Sequence, residues 1–229
     1  MKNITHQTPY DSLHGRVKFV TEYVHLRDIK NKKILDIGCG YGWFEVFAKN
    51  NQAFSIVGTE LTDNDLSTAK KYIREKNITF LKGSAIDLPF KDNTFDTVVS
   101  WEVIEHIPKG TEEHMFLEIA RVLKKDGICY LSTPHRSFFG TLFDPAFWLI
   151  GHRHYSKAHI RKLAMTRFKI HDMRVMGGWW EIISLLDLYI SKWIFQRVPF
   201  FEKVITRKLD REYEKSSGFT NIFLRMQKI

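Results

Sequence analysis

The stretch KKILDIGCGYG, residues 32–42, constrains the fold more than any other. An apolar run too short for a helix ends in three glycines at alternate positions, Gly38, Gly40 and Gly42. A buried parallel strand entering a tight turn has this form. WFEVFAKN follows and reads as helix. The glycines therefore sit at a strand-to-helix junction, where missing side chains let backbone N–H groups and a helix N-terminus approach a ligand. A dinucleotide fingerprint needs GxGxxG, but Trp43 stands where its last glycine belongs, which disfavours a nicotinamide dinucleotide.

The same alternation continues. FSIVGTEL, ITFLKGSA, FDTVVSW and ICYLSTP read as strands two to five, and DNDLSTAKKYIREKN and TEEHMFLEIARVLKKDG as the helices between them. Asp63 or Asn64 is the expected cap of the first of these helices, and Gly127 the expected stop of the second. Leu13, Val17, Val20 and Val24 predict an amphipathic helix over 11–27, SKAHIRKLAMTR a later helix, and residues 168–176 and 221–229 a sixth and a seventh strand. Alternating strands and helices imply a doubly wound α/β fold with a parallel sheet, whose ligands bind at the carboxyl ends of the strands.

With 229 residues, 44% hydrophobic and 27% charged, the chain reads as one globular domain rather than a disordered one. The first 20 residues show no secretory leader, and Cys39 and Cys129 form no disulfide framework, so a cytoplasmic protein with reduced thiols is expected. The net charge of +9 lies wholly in residues 132–229; residues 1–131 are balanced. An anionic partner, if there is one, meets the C-terminal part.

Glu60 ends the second strand, 18 residues past Gly42, where a carboxylate can accept from both hydroxyls of a ribose. ILDIGCGYG, GTEL, GSAIDLPF, FDTVVSWEVIEHI and ARVLKKDGICYLSTP together resemble, in order and spacing, the class I S-adenosylmethionine-dependent methyltransferases, especially the quinone-type and small-molecule O-methyltransferase branch. The resemblance implies a seven-stranded Rossmann-like sheet and S-adenosyl-L-methionine as cofactor. Carried over by position, it places Asp36, Gly38, Cys39, Gly40 and Gly42 at the methionine part, Glu60 at the ribose and Leu61 beside the adenine. Ser84 and Ala85 fall at an Asp-Ala pair that receives the adenine amino group. Serine replaces the acid there, and Asp87 is the alternative acceptor. Ser100, Trp101 and Glu102 fall on the sulfonium side, at the substrate entrance. Within a single methyltransferase domain, residues 1–32 are then an N-terminal helix, 33–134 the cofactor core, 135–176 the substrate-side loop, helix and strand, 177–219 a helical cap and 220–229 the last strand.

Methyl transfer to a phenol or enol gains from a general base. His106, just past the fourth strand, is the first candidate, His135 the second and His154 the third. Convergence of His135, His152 and His154 on zinc or iron is a minor alternative, and no metal is assigned. The basic C-terminal part would also suit an RNA or protein methyltransferase, yet SWEV stands where a base-methylating Asn/Asp-Pro-Pro-Tyr/Phe tetrapeptide would follow the fourth strand. A non-catalytic binding subunit is the remaining alternative.

In the insertion, Glu181, Ser184, Asp187, Ser191 and Lys192 form one polar stripe on a helix whose other faces are apolar. Asp187 at its centre opposes a membrane span. Peripheral contact with an anionic membrane through its aromatic residues and Lys192, Arg197, Lys203, Arg207 and Lys208 stays open, as does a homodimer. The favoured expectation is a cap over a pocket for a small, apolar or lipid-like acceptor.

Overall fold

The computed structural model describes residues 8–229; residues 1–7, part of the segment read for a leader, and the side chains of Glu202 and Lys203 lie outside the described set. Seven strands make one sheet: β1 (Lys33–Ile37), β2 (Ser55–Glu60), β3 (Ile78–Lys82), β4 (Phe95–Trp101), β5 (Leu123–Pro134), β6 (Phe168–Met176) and β7 (Asn221–Lys228). Their order is β3-β2-β1-β4-β5-β7-β6. β1 pairs in parallel with both β2 and β4, so the chain reverses its direction of travel across the sheet beside β1. β7 returns antiparallel between β5 and β6.

Alternate residues of β1 explain the layering. Ile34 packs with one buried cluster, that of Phe19, Phe44 and Phe223; Leu35 and Ile37 pack with the other, that of Met115, Phe116 and Ile160. The first cluster is covered by α1 (Gly15–Tyr23) and α2 (Trp43–Asn50), the second by α4 (Glu112–Val122) and α7 (Lys157–Ala164). Each fully buried Phe or Ile contributes about 1.5–3 kcal/mol of burial. A polar clasp joins the early chain to the last strand. Tyr130 Oη donates to Asp28 Oδ2 at 2.7 Å, and Arg225 donates to the same oxygen at 2.9 Å, all three groups being buried.

Three local expectations are corrected. The N-terminal helix is shorter than 11–27, because Val24 is already extended and Leu26–Asp28 forms a 3-10 turn. α3 (Asp63–Tyr72) is capped by Thr62, whose hydroxyl accepts from the Asp65 N–H at 3.2 Å, rather than by Asp63 or Asn64. α4 stops at Val122, five residues before Gly127. Leu123 turns extended and pairs with Phe95, and Asp126 takes the left-handed turn (φ 62°) that Gly127 was expected to supply.

Beyond β5 the chain makes α5 (Phe138–Leu142), α6 (Pro145–Ile150) and α7 before β6, then α8 (Trp179–Trp193) and α9 (Glu202–Tyr213) before β7. The helical insertion between the last two strands is therefore present. Its orientation is unexpected. Glu181 and Ser191 of the polar stripe are buried, whereas Ile183, Ile190 and Trp193 are exposed. The stripe finds polar partners within the fold: Glu181 lies 3.8 Å from Arg16, and Asp187 accepts from the N–H groups of Phe200 and Phe201 at 3.1 and 3.0 Å. No helix among the described residues is long and apolar enough to cross a membrane.

Candidate functional site

The carboxyl ends of β1, β2 and β4 open into a cavity of about 670 Å³. Its floor is the glycine loop. The N–H groups of Gly38 and Cys39 both donate to the Thr59 carbonyl, at 2.8 and 3.1 Å, which ties the loop to β2. The Gly40 N–H donates to Glu60 Oε1 at 2.8 Å. Two of the glycines have different reasons to be glycine. Gly40 has φ 54° and nothing within 4 Å of a would-be Cβ, so it presents bare backbone to open space. At Gly42 (φ 91°) a Cβ would lie 2.6 Å from Ile73 Cδ1, so its task is close packing of the loop on the α3 region.

Glu60 stands on the cavity wall, its carboxyl raised by burial and held back by the Gly40 N–H. Leu61 beside it is 59% exposed, an apolar face with no protein covering it. Ser84 and Ala85 complete this end; Asp87 is exposed and does not line the cavity. Of the other residues assigned by resemblance, Gly38 and Glu102 line the wall with these. Asp36, Cys39 and Ser100 are buried away from it, and Trp101 packs between Phe44 and Tyr130 at ring separations of 5.9 and 6.3 Å.

Beneath the loop lies a feature that the sequence did not announce. Glu45 of α2 is fully buried, neither of its oxygens has a hydrogen-bond partner, and a Cβ on Gly58 would come within 2.4 Å of its Oε1. Burial pushes its carboxyl up to about 8. Asp36, also buried, is pushed up by burial and then by the carboxyls of Glu45 and Glu60. Burial thus biases both groups toward the neutral acid rather than a pair of carboxylates.

The opposite wall begins at Glu102, a non-glycine residue in the left-handed region (φ 56°). Its carboxylate holds that conformation by accepting from Arg16 at 2.7 Å and from the Ser132 hydroxyl at 2.6 Å. His106 follows, lining the cavity. Burial first, and then the nearby His152 and Arg153, lower it to about 4, so its imidazole is neutral at pH 7.

The three histidines proposed as bases separate. His106 Nε2 lies 3.0 Å from His152 Nε2, on the loop after α6. His135 faces the Phe219 carbonyl through Nδ1 at 3.2 Å, and does not line the cavity. His154 is buried: its Nε2 donates to Asp144 at 2.8 Å and its Nδ1 meets the Thr141 hydroxyl at 3.1 Å, so it braces a carboxylate. His152 and His154 thus face Asp144, not a common point with His135; among the described residues no group of three His, Cys, Asp or Glu has the geometry to hold a metal. Sequence reading missed Asp144, although Asp-Pro at 144–145 followed by FWLI carries the signature of a helix start. It also missed Arg16, which nothing local distinguishes.

Residues 35–131 match the family of methyltransferase domains. The ubiquinone biosynthesis O-methyltransferase of Rickettsia bellii is 33% identical over 128 residues, which are 53% of this chain and 51% of that protein. The sterol 24-C-methyltransferase of Schizosaccharomyces pombe is 34% identical over 100 residues, 42% of this chain and 26% of that one. The chain spans about half the length, or less, of these curated relatives. Among solved structures, an S-adenosylmethionine-dependent methyltransferase from Mesorhizobium loti superposes with a TM-score of 0.63 at 16% identity, over 90% of this chain and 97% of that one; a likeness at that identity concerns the fold.

Proposed function

We propose that this chain, whose residues 35–131 match the methyltransferase-domain family, is a class I S-adenosylmethionine-dependent methyltransferase of a small apolar or lipid-like acceptor, with transfer to oxygen favoured. The observation that carries this is the cavity in which bare Gly40 backbone and the Glu60 carboxylate face one end and His106 the other. The residues present fit the cofactor. The Glu60 carboxylate is at hand for ribose hydroxyls, Leu61 offers an apolar face for the adenine, and Gly40 leaves room for the methionine part, whereas Val103 fills the space beside Gly38. With serine in place of the acid, Ser84 would accept the adenine amino group more weakly.

When bound, S-adenosyl-L-methionine supplies a methyl group activated on a sulfonium. The protein's own task is mainly alignment, worth several kcal/mol when nucleophile and carbon are held in line. Arg16 and Ser132 fix Glu102, and with it the wall that faces the acceptor. His106, neutral at pH 7, is placed to accept the acceptor's proton; a positioned base contributes typically about 10²–10⁴-fold.

The acceptor class follows from the outer surface and from the relatives, two of which are named for ubiquinone and sterol. Phe138, Trp148, Trp193, Ile194, Phe195 and Phe201 are all exposed, on helices α5, α6 and α8 and the segment after α8. Between α8 and that segment runs an apolar groove of about 480 Å³, walled by Ile183, Ile190, Phe195 and Phe201. Arg136, Arg197, Arg207 and Lys208 lie in the same part of the chain. Aromatic and basic groups together suit an anionic lipid surface, and α6 leads directly into the loop that carries His152. No described residue of 177–219 lines the large cavity, which supports an entrance for an apolar acceptor over a lid on that cavity.

Titrating the protein with S-adenosylhomocysteine, and then following demethylated cofactor across phenols, quinols, fatty acids and lipid-linked sugars with and without phosphatidylglycerol vesicles, tests this. Binding of the homocysteine product and turnover with an apolar acceptor are expected. Absence of binding would remove methyl transfer, and turnover confined to polar acceptors would remove the apolar class.

A further inference from the structure

We infer that His152 and Asp144 form a proton relay behind His106, so that the base of the proposed reaction is a three-residue constellation rather than a single imidazole. This rests on the methyl-transfer assignment above and adds two positioning residues to it.

The geometry runs in one direction. Asp144 is held by two hydrogen bonds, its Oδ1 accepting the Ala146 N–H and its Oδ2 accepting from His154 Nε2, each at 2.8 Å, and the same Oδ2 faces His152 Nδ1 across 3.8 Å, a charge contact longer than a hydrogen bond. Burial opposes its charge, but the neighbouring His152 and the bonds from His154 and the Ala146 N–H outweigh it and lower its pKa, so the carboxyl stays ionised. A carboxylate on that side selects the tautomer of His152 with its proton on Nδ1. The Nε2 lone pair of His152 then accepts Nε2–H of His106 across 3.0 Å, and His106 Nδ1 is left with a lone pair on a residue that lines the cavity.

Arg153 keeps the two loops in register. Its guanidinium donates to the Ile104 carbonyl at 2.6 Å and to Tyr155 Oη at 2.9 Å, joining the loop of His106 to that of His152. The charged and titratable groups around the pair are Arg153, with Glu112 3.6 Å from it, and Asp144 with His154.

The relay answers a difficulty of the lone imidazole. A positive charge on His106 would be buried beside Arg153, which is unfavourable. If the acceptor's proton goes to His106 Nδ1 while the Nε2 proton passes to His152 Nε2, the acceptor keeps the electron pair for its new bond. The net charge then settles on His152, next to Asp144. His152 is 18% exposed at its side chain and can return the proton to water.

Two measurements test this. The first needs no acceptor: ¹H–¹⁵N correlation on protein labelled at histidine, with and without S-adenosylhomocysteine, reads the tautomers directly. His106 protonated at Nε2 and His152 at Nδ1 are expected, the pair taking up a single proton as pH falls. In Asp144→Asn that uptake is expected to shift to lower pH. His106 protonated at Nδ1, or two histidines titrating independently, would overturn the relay.

The second is kinetic. His152→Ala is expected to lower kcat about 100-fold with cofactor affinity unchanged, and added imidazole to restore part of it. Asp144→Asn should lower kcat less and move the rising limb of its pH profile to lower pH. If His106→Ala abolishes turnover while His152→Ala leaves kcat and profile intact, the base acts alone and methyl transfer survives. If S-adenosylhomocysteine does not bind the wild type, the methyl-transfer assignment fails while the tautomers still decide the relay.

Discussion

Residues 33–134 and residues 135–229 share one sheet but treat their apolar side chains in opposite ways. In the first region most large hydrophobics of the strands are buried on both faces, Leu81 on the outer strand β3 being an exception, and its 12 Lys and Arg against 15 Asp and Glu leave it slightly acidic. In the second, only the strands and α7 follow that pattern; α5, α6, α8 and the segment after α8 turn Phe, Trp and Ile outward, and the whole excess of positive charge lies there. Burial on one side and display on the other separate them: the first region encloses its apolar groups, and the second leaves apolar groups uncovered by the chain itself, the form that an interaction site takes.

The strongest way to break the comparison is to cut the clasp that makes the regions one body. Asp28→Ala leaves Arg225 buried without its carboxylate and is expected to cost about 3–5 kcal/mol, read as a lowered urea midpoint. A loss under about 1 kcal/mol would mean that β7 is held by its strand pairing alone. Next in size, Glu60→Ala is expected to weaken S-adenosylhomocysteine by about 10- to 100-fold, the worth of charge-assisted hydrogen bonds at about 1.5–3 kcal/mol. Calorimetric titration gives the number, and an unchanged affinity would remove Glu60 from the site.

Much of the first region was legible because its signals are local. An apolar run into glycines, a strand ending in Glu60 and a regular alternation each need only neighbours in sequence. The second region hid its site because its partnerships are not local. His152 meets His106 across 46 residues, and Asp144 is chosen as the brace only after α5 and α6 fold back. The polar stripe of α8 was correctly placed at helical spacing, but its inward direction was not readable. The groups that turn it inward are Arg16, near the start of the chain, and the backbone of Phe200 and Phe201. Gly127 misled for the opposite reason: glycine is the commonest helix stop, yet pairing of Leu123 with β4 ended α4 first.

A third, smaller effect sharpens what the first region holds. Glu45 has its folded pKa raised to about 8, above the ordinary carboxylate range. Between those two values the folded protein keeps a proton that the unfolded chain has lost. Stability must therefore fall as pH rises through this window, by at most about 1.4 kcal/mol per pH unit, and level off above it. Glu45→Gln is expected to flatten the decline. Thermal melts from pH 5 to 9 measure it, and a wild-type curve that rises with pH would show that Glu45 is ionised in the fold.

The smallest expected effect on stability carries the sharpest test of the second region. Ile194 and Phe201 are 69% and 63% exposed, so replacing both by Ser removes little buried surface and is expected to change stability by no more than about 0.5 kcal/mol. If the face exists for itself, nothing else changes. If it exists for an anionic bilayer, co-sedimentation with phosphatidylglycerol vesicles falls about tenfold or more while S-adenosylhomocysteine affinity stays where it was, since neither residue lines the cavity that holds Glu60. Sedimentation of the unmodified protein separates the remaining occupant: a dimer dissociated by the same two changes, with vesicle binding unaffected, would assign the face to a second copy of the chain. Equal loss on phosphatidylcholine would show that the apolar groups act alone. Loss confined to phosphatidylglycerol would bring in Arg197 and its neighbours, because only charge distinguishes the two surfaces.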